Sequence, residues 1–297
     1  MAVQAGINST TANDAVHASR NASFIIAGPR AIPIYEALAM QIDCSTLGSN
    51  VVSIPSWDAS PATENTTQGD EVASADYTTS AKTATGVMIS TRGLITDQWV
   101  QDSGELASSG VDEMSANIRN AIDVGVLDLF NTASNASDNT GVALTLSLWL
   151  AALAAFKAQL PGQQAIAYVG SSGQMRDFYA ALIAGAGAAQ IMGAGNSIFD
   201  AQVIDGYLGL YHGIHMFESA NVAANDADND VGGFVALSAG QPGSPPARSG
   251  LALAVWRGIE ARGLYTPHRH GIDTTVSARV GFSRTAERLV RGLISTD

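Results

Sequence analysis

The sequence predicts a mixed α+β protein whose surface is completed by other molecules, and three observations carry that prediction. Apolar side chains recur at helical spacing through Val111, Met114, Ile118, Ala121, Ile122, Gly125 and Leu129. Residues 73–89 alternate with a period of two yet hold few large apolar side chains, so they form a long strand without a core of its own. Only 14% of the 297 residues are charged while 46% are hydrophobic. So low a charge fraction is unusual for a free monomer, whose surface must stay soluble unaided.

The elements follow in chain order. Residues 1–23 are small and polar without periodicity, as in an arm that orders on a partner or in a frayed terminus. A short helix is expected at 32–38. Residues 51–57 can pair with the alternating stretch, making a long hairpin with a Pro- and Gly-containing tip. Such a hairpin is marginal in water. It must lie on its own domain or on a neighbouring subunit. The helix at about 109–131 has Ser109 and Asp112 placed like an acidic capping box. At about 1.5 Å per residue it spans roughly 30 Å. Residues 144–160 read as a second helix, with Leu146, Trp149, Leu150 and Leu153 as its buried stripe and Pro161-Gly162 as its stop. Residues 165–169 read as a buried strand, and Ser171 or Ser172 can cap a third helix to about Ala184. A Gly/Ala-rich loop at 185–195 leads to a strand pair ending at Phe217. Residues 221–233 and 240–246 read as loops, and 251–256, 274–282 and 288–294 as strands.

The formal charge is −12, which argues against a surface that generally grips nucleic acid. The charge is uneven. Residues 245–297 carry eight arginines against Glu260, Asp273, Glu287 and Asp297, a balance of +4 that leaves −16 for residues 1–244. The lone Cys44 excludes an intrachain disulfide and a cysteine metal cluster. No basic stretch followed by an apolar run opens the chain, and the apolar stretch 142–156 is too short for a bilayer, so a soluble protein without membrane contact is expected.

No residue set carries recognisable catalysis. Asp226, Asp228 and Asp230 begin like a calcium loop, but Val231 holds the position that needs glycine and Leu237 the position that needs glutamate. His212 with His215, and His268 with His270, supply two ligands each where a site needs three or four. Gly170-Ser-Ser-Gly173 lacks the nucleophile-elbow spacing, and the glycines after Gly185 are followed by no Gly-Lys-Ser/Thr. The expectation is therefore no enzyme, no catalytic residue, no metal and no cofactor.

The order of elements resembles a known family. A polar arm, a long hairpin, a spine helix, an inserted α/β unit and returning C-terminal strands are similar to the tailed-phage major capsid proteins, whose Hong Kong 97-like fold is shared with encapsulin nanocompartments. Residues 85–95 (TGVMISTRGLI) with the helix from Val111 resemble the base of the extended loop and the spine helix. Residues 206–219 (GYLGLYHGIHMFES) resemble the axial-domain strands, and 276–282 (VSARVGF) and 288–294 (RLVRGLI) the peripheral-domain strands. The resemblance implies an N-terminal arm at 1–31 and an extended loop at 51–85. It implies a peripheral domain from 32–50, 86–140 and 246–297, and an axial domain at 141–245.

It further implies pentamers and hexamers of this chain closing a virion shell around double-stranded DNA, assembled in the host cytoplasm without sequence-specific binding. A portal and a cement or decoration protein are further implied partners. No charged helical scaffolding segment is present, which implies a separate scaffolding protein or none. Lys82 is the only lysine on the loop and asparagine is absent after Asn229, which argues against a Lys–Asn weld between subunits. From the charges, the acidic hairpin tip (Asp58, Glu64, Asp70, Glu71), flanked by Trp57 and Tyr77, is expected to meet Arg279, Arg284, Arg288 and Arg291 of a neighbouring copy. An encapsulin-like compartment is the alternative on the same fold, and an exported adhesin or carbohydrate-binding module the alternative of another class.

Overall fold

The computed structural model of the protein describes residues 33–57, 79–97, 104–160, 165–186, 207–222, 229–237 and 249–296. A short helix α1 (Tyr35–Leu38) leads into β1 (Ala39–Asp43), then β2 (Val51–Trp57), β3 (Thr79–Thr85) and β4 (Val87–Thr96). The spine helix α2 (Gly104–Asn131) follows, with β5 (Ser137–Ala143), α3 (Leu146–Gln159), β6 (Ala165–Gly170) and α4 (Ser172–Ala186) after it. The chain closes with β7 (Tyr207–Tyr211), β8 (Ile214–Glu218), β9 (Asn229–Leu237), β10 (Leu251–Thr266), β11 (Gly271–Arg284) and β12 (Val290–Thr296).

Among the described residues three sheets result. Strands from both ends of the chain interleave in a four-stranded sheet of order β1-β10-β11-β4. A six-stranded sheet has the order β5-β12-β9-β6-β8-β7, and β2 and β3 stand apart as a two-stranded hairpin. The spine helix joins the two larger sheets: Ile118, Ile122, Val126, Leu127 and Phe130 share one core with Leu253, Val276 and Val280 of the first sheet and Val169, Val231 and Val235 of the second. The other face of the six-stranded sheet packs Tyr168, Met216, Phe234 and Leu293 against Trp149, Phe156 and Phe178 of α3 and α4. Both faces of its centre are thus covered, which is why β9 is buried at every position from Val231 to Leu237.

Several boundaries differ from the sequence reading for identifiable reasons. The spine helix starts at Gly104, so Ser109 lies inside the helix and not at its N-cap position. The alternating stretch through 73–89 is interrupted at Gly86, where a β-carbon would lie 2.8 Å from Asn50 Oδ1 and 3.1 Å from the Trp256 ring. The chain changes partner there: β3 pairs with β2, and β4 with β11. Residues 229–233, read as loop, begin β9. Their glycines mark close approach and not a turn, since a β-carbon on Gly232 would lie 2.6 Å from Val169 O and one on Gly233 2.3 Å from Phe130 Cδ1. β12 leaves the first sheet and pairs with β9 and β5, with Gly292 opposite Gly233 beneath the end of the spine helix. Residues 290–296 therefore pack with the sheet of segment 141–245, not with β10 and β11. α3 is capped by the Thr145 hydroxyl, which accepts the Leu148 N–H, and α4 by Ser171 Oγ, which accepts the Gln174 N–H.

Candidate intersubunit surfaces

The hairpin runs in register from Val51 opposite Thr85 to Trp57 opposite Thr79. Its root is fixed by a small core of its own, in which Ile54 and Ala84 pack with Cys44, Ala252, Ala254 and Trp256. The Trp256 indole N–H donates to Ser49 O at 2.8 Å, closing the root. Beyond Ile54 and Ala84 no described hairpin side chain is buried. A two-stranded ribbon with so little buried side chain is marginal by itself in water. Lys82 is its one described charge, and Lys82 Nζ donates to Glu287 Oε1 at 2.8 Å.

Glu287 gathers several segments. Arg284 pairs with its carboxylate at 3.1 Å and also donates from Nη1 to Leu129 O (3.0 Å) and Thr132 Oγ1 (2.8 Å). Arg284 therefore serves the free carbonyls at the C-terminal end of the spine helix, where a cation suits the helix dipole. Burial works to raise the Glu287 pKa, but the Lys82 hydrogen bond and the charges of Arg284 and Lys82 outweigh it and hold the carboxyl below its ordinary value. The other predicted arginines are also engaged within the chain. Arg279 lies over the Trp256 ring at 5.9 Å and donates to Asn50 Oδ1 at 2.6 Å. Arg291 donates from Nε to Ser137 Oγ at 3.0 Å, and burial lowers its pKa. Arg288 lies on the 3-10 turn Glu287–Leu289. Asp58, Glu64, Asp70, Glu71 and Tyr77 lie outside the described residues, as does the side chain of Trp57.

The register of the four-stranded sheet assembles a charged face that the sequence reading did not single out. Met88, Arg279 and Arg257 lie in one row, Arg92, Thr275 and Arg262 in another, and Leu94, Asp273 and Leu264 in a third. The opposite face holds Gly93, over which Met114 of the spine helix lies, and the buried Val276 and Val280. The arginine rows consequently point away from the spine. The side chains of Arg92 and Arg262 are 66% and 70% exposed, with Arg92 paired to Asp273 and Arg262 to Glu260. At the distal tip Leu264 is 74% exposed and Tyr265 52%, and the Tyr265 hydroxyl donates to Asp97 Oδ2 at 2.8 Å. The alternation of Met88, Ser90, Arg92 and Leu94 was the signal available in the sequence.

Among the described residues no group of three or more His, Cys, Asp or Glu side chains is placed to hold a metal. Asp226 and Asp228 lie outside them, and Asp230 belongs to β9. His215 is half-buried in β8, where burial lowers its pKa. No described helix is long and apolar enough to cross a membrane.

No protein-family model matches the sequence, and no curated protein does. Solved structures do match over nearly the whole chain. The capsid of cyanophage P-SCSP1u superposes at a TM-score of 0.64 with 13% identity, covering 92% of this chain and 90% of its own. The capsid of Ralstonia phage GP4 gives 0.64 with 12% identity over 92% and 93% of the two chains. The capsid of a native GTA particle gives 0.61 with 11% identity over 93% and 94%. The fold is thus that of shell-forming phage proteins. In particular it is the Hong Kong 97-like capsid fold, with spine helix, hairpin and two sheets present in this one chain.

Proposed function

We propose that the protein is a major capsid protein, whose work is self-assembly into pentamers and hexamers that close an icosahedral head around double-stranded DNA. The observation that carries this reading is the match in fold along essentially the full length of both chains. The exposed hairpin fits it, because a ribbon that buries only Ile54 and Ala84 at its root gains from a second copy to lie on. In this reading residues 1–31 are an arm, 51–85 an extended loop over the adjacent subunit, 141–245 an axial domain, and 32–50, 86–140 and most of 246–297 a peripheral domain. The product is a virion shell assembled in the host cytoplasm. A separate scaffolding protein, a portal and a cement or decoration protein are its accessory partners. No reaction is catalysed.

The acidic loop residues Asp58, Glu64, Asp70 and Glu71, between Trp57 and Tyr77, meet arginines of the neighbour. Arg279 and Arg288 are the receivers among those read from the sequence, and the exposed Arg92 and Arg262 extend the same basic face. Arg284 and Arg291, hydrogen-bonded to Thr132 and Ser137 of their own chain, complete the set of receivers. Exposed pairs are worth about 0.2–1 kcal/mol each, but every copy repeats them. Changing Asp70 and Glu71 together to lysine should impair assembly, read as loss of fast-sedimenting particles on a density gradient. Arg288→Glu should restore part of it. Normal particles from the doubly reversed loop would sink the charge pairing. A wild-type protein that sediments only as a monomer, alone and with the products of its neighbouring genes, would sink the capsid reading.

A further inference from the structure

One buried carboxylate takes no part in the surfaces described so far. Asp123, in the middle of the spine helix, has no solvent exposure. Its Oδ1 accepts the backbone N–H groups of Ile34 and Tyr35, both at 2.8 Å. Its Oδ2 accepts Asn221 Nδ2 at 2.8 Å, and the Ser219 side chain also hydrogen-bonds to the carboxylate. Asn221 Nδ2 reaches a second spine residue, Asn120 Oδ1, at 2.8 Å. Ser219 is anchored in turn, its N–H donating to Gly170 O at the end of β6 and its Oγ accepting the Asn221 N–H.

Three separate pieces therefore meet on one side chain. The first is the start of α1, whose own N-cap residue Ile34 makes no side-chain cap bond, so the Asp123 carboxylate supplies the cap from 89 residues away. The second is the spine. The third is the turn that follows β8 in the six-stranded sheet. The four groups that donate to the carboxylate are neutral, and a buried donor deprived of its acceptor is costly. The two oxygens divide the work, with Oδ1 holding the first piece and Oδ2 the third. Loss of either set of bonds frees the side chain to rotate away from the other.

We propose that Asp123 is a latch that fixes the start of α1 at Ile34 and Tyr35 and couples it to the turn at residues 219–222. The proposal concerns a single chain and does not depend on whether the chain builds a shell. Its distinguishing consequence is transmission: a change at position 221 must be felt at residues 33–38, to which the side-chain hydrogen bonds of Asn221 connect through Asp123.

The test is hydrogen exchange followed by mass spectrometry on the full-length protein. Asn221→Ala leaves the Asp123 carboxylate and the α1 amides in place. The latch predicts that exchange at 33–38 nevertheless rises roughly tenfold, as local opening becomes easier, with β10 and β11 unchanged. Asp123→Asn should loosen 33–38 and 219–222 together. The swap Asp123→Asn with Asn221→Asp again sets a donor against an acceptor and should tighten the 219–222 turn relative to Asp123→Asn alone. Unchanged exchange at 33–38 in Asn221→Ala overturns the proposal, and so does loosening of only one segment in Asp123→Asn. If Asp123→Asn does not fold, the Asn221→Ala result alone decides.

Discussion

The six-stranded sheet and the hairpin with its neighbouring four-stranded tip are built from similar amounts of strand but end in opposite states. Under the first, Trp149, Phe156, Tyr168, Phe178 and Phe234 are all sealed from solvent, with Tyr168 and Phe234 ring centroids 4.9 Å apart. In the second, Met88 is 59% exposed, Leu264 74% and Tyr265 52%, and no described hairpin side chain other than Ile54 and Ala84 is buried. One region completes its own core. The other leaves apolar side chains and a bare ribbon on the surface, the pattern expected of a surface that is covered by another molecule. The difference separates what folds the chain from what the chain leaves on its surface.

The sharpest break of that comparison is in the sealed region. Phe234→Ala removes the ring that touches Trp149, Phe156 and Tyr168. It should lower unfolding stability by about 3–5 kcal/mol, read as a shift of the urea midpoint. A smaller but clear loss is expected where the regions join. A methyl on Gly292 would lie 2.4 Å from Phe130 O at the end of the spine helix. Gly292→Ala should therefore cost about 1–3 kcal/mol by overpacking.

Two carboxylates divide the comparison by pH. Glu287 is held below its ordinary pKa, so the stability it contributes is present above its unfolded pKa and is lost as pH falls through its folded value. The pair is partly solvent-exposed and screened, and Glu287→Gln should cost only about 0.5–1 kcal/mol at neutral pH while flattening the acid side of the stability curve. Asp123 behaves oppositely. Burial outweighs its hydrogen bonds and raises its pKa, so its contribution is fully present below the unfolded pKa and is lost as pH rises through the folded one. Asp123→Asn should remove that downward slope. Urea unfolding repeated between about pH 3 and pH 7 distinguishes the two signs. The smallest stability effect belongs to the exposed tip: Leu264→Ser should change folding by no more than about 0.5 kcal/mol while reducing the yield of assembled particles. A large loss of stability with unchanged assembly would reverse the roles assigned to the two regions.

Much of this division was legible in the sequence wherever a local period or a local cap specified it. The β2 hairpin arm, the repeat along the spine and the Ser171 cap of α4 follow from neighbours a few residues apart. β9 was not legible, because Gly232 and Gly233 carry a turn signal while their actual reason is the approach of Val169 and Phe130 from elsewhere in the chain. β5 was missed because it is a polar edge strand, with Val142 48% exposed. The arginines show the same limit. Eight of them near the C-terminus are visible as a composition, but that Arg284 serves the spine helix through Leu129, 155 residues away, is a tertiary fact. Asp123 gave no signal either, since a single acidic residue in an amphipathic helix reads as solvated until its buried donors are known.

The account stands most directly on where the hairpin lies once copies of the chain come together. Cryo-electron microscopy of particles formed by the purified protein, with the products of its genomic neighbours added, measures this. The prediction is closed shells of pentamers and hexamers in which residues 51–85 rest on an adjacent subunit. Particles in which every hairpin folds back onto its own chain, or no particles at all, would contradict it.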